Sequence, residues 1–258
     1  VCCGGDGTLN ETINGVMDVP SRVPIGYIPT GSTNDLATTL GISTDIDKAT
    51  DLIMSGKLNS YDVGLLNNRY FSYVAAFGAL TRASYATSQK LKNKIGHLAY
   101  ILSGFAEWKN IKPVHMKIEY DGGVIEDDFS FGAISNSTSV SGVFKFNKDD
   151  VRLNDGLFEI LLVRKVKAIT APIVLGKVIR QKYDGEQILF LKTSKVKLTS
   201  PEEVPWTLDG EYGGSHKMAM INVLSKAIEI CSPENPLFEN DILPEPAASE
   251  QKDSATVK

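Results

Sequence analysis

Over residues 1–62 apolar positions recur at helical spacing, broken by short apolar runs and glycine-led turns. Leu9, Ile13 and Val16 share one face of a predicted helix at 8–17, opened by the turn Gly4-Gly5-Asp6-Gly7-Thr8. A buried strand is predicted at 23–28, ending at Pro29. Gly31-Ser32-Thr33-Asn34-Asp35 then leads into a second helix through Leu36 and Leu40, and a third runs over 47–55 to Gly56. This rhythm predicts an α/β domain with a partial, doubly wound sheet. Beyond Tyr61-Asp62-Val63-Gly64 the texture changes. Strands are predicted at 69–77, 114–120, 124–135, 157–163, 188–192, 195–198, 218–223 and 227–231, with a hairpin turn at Asp121-Gly122-Gly123. Short strands with glycine punctuation predict a larger, mostly-β sandwich, interrupted by helices near 85–108 and 168–181. The expected division is an α/β domain over 1–62 rejoined by 233–243, a β-sandwich acceptor domain over 63–232, and a disordered tail at 244–258 that lacks apolar content.

Composition narrows the classes. The 258 residues are 42% hydrophobic and 22% charged, ordinary for a globular chain. A formal net charge of −4 offers no global field for nucleic acid. No apolar run approaches the ~20 residues that span a bilayer, and no secretory leader opens the sequence. The expectation is a cytoplasmic protein whose membrane contact, at the inner face, is peripheral. Cys2, Cys3 and Cys231 are an odd set, better read as reduced packing residues than as a disulfide framework. His97, His115 and His216 have no ligand spacing, so zinc is unsupported. The glycine turn follows Val1 by three residues, whereas such turns normally follow a complete strand inside a sheet. The chain is therefore expected to lack N-terminal elements, and the sheet edge so exposed would favour homo-oligomers.

Three places carry candidate chemistry. Gly4 to Thr8 lets backbone approach a ligand closely and places a helix N-terminus behind it, a phosphate-binding arrangement. An aspartate there, Asp6, would repel phosphate unless a cation such as Mg²⁺ intervened. By itself the loop is equally a tight turn with a capping aspartate. Gly31 to Asp35 repeats the pattern after a second strand, and two such loops would face one sheet edge. Asp209-Gly210-Glu211 resembles the tips Asp121-Gly122-Gly123 and Asp184-Gly185-Glu186, and nothing local makes Glu211 catalytic. A lysine cluster at 90–94, followed by Ile95, Leu98 and Ile101, suits either a core helix or contact with an anionic membrane.

The series GGDGTLNE (4–11), GSTNDLA (31–37), SYDVG (60–64), the strand 73–78, LKNKIGHLAYIL (91–102), RLNDGLF (152–158) and LDGE (208–211) resembles the bacterial diacylglycerol kinase-like lipid kinase family, in order and across residues 2–232. Tyr73 departs from that family's asparagine neighbourhood. The resemblance implies an ATP- and Mg²⁺-dependent kinase acting on a lipid hydroxyl, such as that of diacylglycerol, at the membrane surface. It implies that Asp6, Asp35 and Asp62 organise Mg²⁺ and the nucleotide phosphates. Gly4, Gly5, Gly7, Thr8, Leu9, Asn10, Ser32, Thr33 and Asn34 would form the nucleotide loops. Glu211 would be the general base. Asp155, with the carbonyls of Arg152 and Leu157, would hold a second, structural Mg²⁺, although those residues alone read as an Asn-Asp-Gly turn. The alternatives are an NAD kinase, which shares the first loop and the two-domain plan, and a non-catalytic nucleotide- or lipid-binding regulator on the same scaffold.

Overall fold

The computed structural model of the chain describes residues 1–78, 112–140, 144–167 and 169–238. The predicted helix at 85–108 and the predicted tail at 244–258 lie outside them, as do residues 239–243.

β1 (Cys2–Gly4) and β2 (Tyr27–Pro29) pair in parallel, with α1 (Asp6–Met17) as the crossover. α1 starts ahead of its apolar stripe because Gly5 takes the N-cap position and Asp6 suits the positive end of the helix. α2 (Asp35–Leu40) and α3 (Ile46–Ser55) end at Gly41 and Gly56, both left-handed with φ of 75° and 68°. Asp45 caps α3 by accepting from Lys48 N–H at 3.1 Å.

The remainder is built on a nine-stranded sheet. Its strands are β3 (Leu58–Leu66), β4 (Arg69–Phe71), β5 (Val74–Gly78), β6 (Val114–Tyr120), β7 (Gly123–Ser135), β10 (Phe158–Arg164), β11 (Ile188–Thr193), β12 (Lys195–Leu208) and β13 (Glu211–Cys231). All pairs are antiparallel, in the order β11-β10-β7-β5-β12-β13-β3-β4, and β6 fills a lane beside β5 between β7 and β12. A separate ribbon joins β8 (Ser139–Val140) to β9 (Phe144–Lys145), and α4 (Ala171–Ile179) precedes β11.

Four predicted strands change form. The strand at 69–77 divides at Ser72-Tyr73 into β4 and β5. The strand at 195–198 continues to Leu208, because pairing with β13 resumes at Val204 after an irregular stretch holding Pro201. The strands at 218–223 and 227–231 are one strand with a bulge between Leu224 and Ile228, where Lys226 takes φ 49°.

The sheet curls around an inner core that includes Phe71, Phe77, Phe129, Phe158 and Trp206. An outer core lies between the same sheet and the helices, joining Leu9, Ile13, Leu36 and Leu40 to Leu161, Val163, Val174 and Val178. β10 serves both layers, with Phe158, Ile160 and Leu162 inward and Leu161 and Val163 outward, which explains its unbroken apolar run. β3 passes through Asp62 without interruption, Tyr61 opposite Ile228 and Val63 opposite Leu224. After β13 the chain returns to α2, where Asn235 Nδ2 donates to Thr39 O at 2.9 Å.

Candidate functional site

The two glycine loops touch. A Cβ on Gly31 would sit 2.5 Å from Gly5 Cα, so only glycine permits this approach. Asn34 holds the second loop in a left-handed conformation (φ 54°). Its Oδ1 accepts from Gly31 N–H at 3.0 Å and its Nδ2 donates to Gly31 O at 2.8 Å. Asp6 bolts the loops together, accepting from Asp35 N–H at 3.1 Å and Leu36 N–H at 3.2 Å. Its carboxylate thus caps the opening turn of α2. Burial pushes its pKa up, and the amides of Leu36 and Asp35 oppose that rise. Gly7, Thr8, Ser32 and Thr33 are exposed, while Asn34 and Asp35 are buried. The fully exposed part of the loops is these first four, with Gly4, Gly5, Asp6 and Gly31 half-buried behind them.

Two residues placed in the loop by sequence serve elsewhere. Leu9 is fully buried in the outer core, because the first turn of α1 already directs it inward. Asn10 Nδ2 donates to Asp209 Oδ2 at 2.5 Å.

Asp209 is the residue that sequence reasoning passed over. It is buried and takes φ 50°, followed by Gly210 at φ 88°, a two-residue hairpin turn of the primed type. Its Oδ2 also accepts from Ser72 N–H and Ser72 Oγ–H, both at 2.6 Å. Its Oδ1 accepts from Tyr73 N–H and Val74 N–H, both at 2.9 Å. These bonds explain the break between β4 and β5, where the backbone turns its amides onto a carboxylate instead of a strand. Burial raises the Asp209 pKa and the Ser72, Val74 and Tyr73 donors resist it. Every one of these partners is a donor, so the pocket accommodates the ionised form.

Tyr73 is the second omission. Burial first, then the charges of Asp209, Asp6, Asp35 and the Tyr27 phenol, push its phenol well above its ordinary range. The phenol therefore marks a region of negative potential shared by three aspartates from both halves of the chain. The departure of Tyr73 from the family pattern was the available signal. Glu211 lies two positions beyond Asp209, exposed, at the start of β13 and opposite Leu208. The Asn10–Asp209 bond ties the helix behind the first glycine loop to the turn that carries Glu211.

Asp62 has a structural task that its motif did not announce. It accepts from Lys226 N–H at 2.6 Å and Gly156 N–H at 2.7 Å, fixing the β13 bulge and the 154–156 turn. Its backbone N–H donates to Leu153 O at 2.9 Å. Each carboxylate oxygen accepts one of those amides and keeps a second lone pair. Asp155 Oδ1 accepts from Leu157 N–H at 2.9 Å, the Asn-Asp-Gly turn read from the residues. The Arg152 guanidinium turns to backbone, donating to Val151 O at 2.8 Å. Beside them Glu159 is fully buried with neither oxygen hydrogen-bonded; Lys192 Nζ stands 3.7 Å away. Burial pushes the Glu159 carboxyl up to about 8. Among the described residues no three His, Cys, Asp or Glu side chains converge as metal ligands.

The comparisons with known proteins follow this division. Residues 1–66 match the family described as the diacylglycerol kinase catalytic domain, and residues 74–232 match the YegS C-terminal NAD kinase beta sandwich-like domain. The diacylglycerol kinase of Staphylococcus carnosus is 37% identical over 240 residues, covering 91% of this chain and 76% of the relative. That of Bacillus subtilis is 35% identical over 236 residues, covering 91% and 77%. A crystal structure from Bacillus anthracis, assigned provisionally as a diacylglycerol kinase, superposes with TM-score 0.75 at 26% identity, covering 91% of this chain and 77% of that one. An Archaeoglobus fulgidus NAD kinase in complex with ATP has TM-score 0.50 at 11% identity over 90% of this chain and 76% of that one, a likeness of fold.

Proposed function

The chain belongs to the diacylglycerol kinase family, and from that premise we propose how it works as a lipid kinase, phosphorylating a lipid hydroxyl such as that of diacylglycerol. The observation that carries the proposal is Asp209, whose carboxylate joins Asn10 of the glycine-loop helix to the turn preceding Glu211. It couples a phosphate-binding edge to an exposed carboxylate.

The exposed rim of Gly7, Thr8, Ser32 and Thr33 offers small residues and backbone N–H groups to the phosphates of ATP. Burial of Asp6, with Asp35 beside it, leaves negative charge that suits a divalent cation arriving with the nucleotide. Mg²⁺ bound there would neutralise charge on the phosphates. The protein's own work is positioning and proton removal. The lipid oxygen forms a bond to the γ-phosphorus while the bond from that phosphorus to the β–γ bridging oxygen breaks. ADP leaves, and the hydroxyl proton passes to the Glu211 carboxylate. Glu211 is exposed at the start of β13, where a large amphiphile can reach it.

The test follows label from ATP, with Mg²⁺, into diacylglycerol in mixed micelles, with NAD as control acceptor. The native chain should label the lipid and not NAD. Glu211→Gln should bind ATP unchanged and lose about 10²–10⁴-fold in turnover. Label in NAD, or a Glu211→Gln variant as fast as native, would overturn the assignment.

A further inference from the structure

α4 is apolar on both of its faces. Of its nine residues, Ala-Pro-Ile-Val-Leu-Gly-Lys-Val-Ile, only Lys177 is polar. Ala171, Val174 and Val178 are buried in the outer core. The opposite face, at positions 169, 172, 173, 176 and 180 by helical spacing, turns to solvent. Ile169 is 84% exposed, Ile173 63% and Ile179 47%. A surface helix ordinarily places charged residues on that side, and clustered exposed isoleucines mark a contact surface.

Basic residues ring the same patch. Lys167, Arg180 and Lys182 are exposed and enter no ion pair among the described residues. Lys177 pairs with Asp184 at 2.9 Å, which neutralises that acid; the other acids nearby are the exposed Glu186 and the half-buried Asp150, whose charge reaches Tyr183. Positive charge thus gathers around apolar residues in a chain whose net charge is −4. Aliphatic residues in the middle and cations at the rim match an anionic bilayer, with acyl chains below the headgroups. A protein partner would not need unpaired cations surrounding an aliphatic centre. The position also fits. α4 packs into the same core as Leu9 and Leu36, so it covers the same face of the sheet as the helices behind the two glycine loops.

We propose that α4 and the segments flanking it are a docking surface for anionic membrane, seating Ile169, Ile173 and Ile179 among the acyl chains while Lys167, Arg180 and Lys182 meet headgroup phosphates. This rests on the lipid-kinase reading, since it says how an enzyme with no spanning helix among the described residues reaches an acceptor held in a bilayer.

Co-sedimentation of the full chain with vesicles tests it, using phosphatidylcholine containing one quarter phosphatidylglycerol against phosphatidylcholine alone. Native protein should favour the anionic vesicles. Ile173→Glu should weaken that binding at least tenfold without moving the urea midpoint, because Ile173 is mostly outside the core. Each basic residue near an anionic surface contributes about fivefold, so Arg180→Glu with Lys182→Glu should weaken binding by about 25-fold or more. Turnover of a dispersed short-chain diacylglycerol should be unchanged in both variants. If no form phosphorylates that acceptor while vesicle binding behaves as stated, the kinase reading fails and the docking surface stands. Equal binding of native and Ile173→Glu protein to anionic vesicles overturns the docking surface, and so does a self-association that Ile173→Glu abolishes.

Discussion

Replacing Asp209 with asparagine keeps the shape of the side chain and reverses the polarity of one end. The retained Oδ1 still accepts from Tyr73 and Val74 N–H. The new amide nitrogen faces Ser72 N–H, Ser72 Oγ and Asn10 Nδ2, all at 2.5–2.6 Å and all donors to the native carboxylate. The Ser72 hydroxyl can rotate and accept. The Ser72 amide cannot, and Asn10 can do so only by turning its amide over and giving up the bond from Asn14 Nδ2 to its Oδ1 at 3.2 Å, so two charge-assisted bonds are lost or replaced at about 1.5–3 kcal/mol each. Relief from burying a charge offsets part of that, leaving a net loss of about 2–4 kcal/mol. Against a total stability of about 5–15 kcal/mol this is large. With a urea slope of about 3 kcal/mol per molar, suited to a chain of this size, the midpoint should fall by about 1 M. Function should respond unevenly. With ATP on the glycine loops as proposed, its affinity should change little, whereas lipid turnover should fall because Asn10 no longer fixes the turn that carries Glu211. Urea unfolding at neutral pH with parallel nucleotide-binding and turnover assays reads all three. An unchanged midpoint, or ATP affinity falling in step with turnover, would refute the coupling role of Asp209.

The close contact of the glycine loops makes Gly31→Ala the sharper test of the nucleotide edge. Its Cβ would lie 2.5 Å from Gly5 Cα and 2.7 Å from Asn34 Oδ1, so overpacking should cost about 1–3 kcal/mol and ATP affinity should drop, measured by calorimetric titration. Gly7→Ala meets nothing within 4 Å and serves as its control for stability. At acid pH, hydrogen bonds from the Ser194 side chain and amide and from Thr193 hold the Asp121 carboxyl down at about 2. Its folded pKa is below the unfolded value of about 3.9, so its contribution is present above that value and is lost as pH falls toward about 2. Thermal unfolding across that window should show native protein losing more stability than Asp121→Asn, and parallel curves would contradict the assignment.

The parts of this molecule legible in sequence are those set by local chemistry. Leu9, Ile13 and the glycines around them announce α1 and its loop because the helix period and the turn requirement are local facts. β10 announces itself less clearly, since burial on both faces erases alternation. The break at Ser72-Tyr73 could not be read, because its cause is a carboxylate more than a hundred positions away. The same distance hid the roles of the aspartates. Asp121, Asp184 and Asp209 all precede glycines, and each accepts backbone hydrogen bonds at its turn. What separates Asp209 is burial against the helix behind the glycine loop, a property of topology that no local pattern encodes. Asp62 shows the same limit. Its motif suggested the phosphate side, while its neighbours in space are the amides of Gly156 and Lys226.

That contrast bears on how the two halves of the chain work together. β3 crosses from one half into the other and pairs with β13 on both sides of its bulge, where Asp62 stiffens the pairing. Asp209 bridges the halves at another point, through a single side-chain bond to Asn10. A continuous two-strand spine resists shear between the halves, whereas one side-chain bond is easily broken and remade. The arrangement therefore places the adjustable joint beside Glu211 and the rigid one away from it. On this reasoning Asn10→Ala should leave the Glu211 hairpin folded yet uncouple it, lowering lipid turnover at saturating ATP while the urea midpoint moves by less than in Asp209→Asn. A variant that unfolds as readily as Asp209→Asn would show instead that the bond holds the fold and not the timing of the two halves.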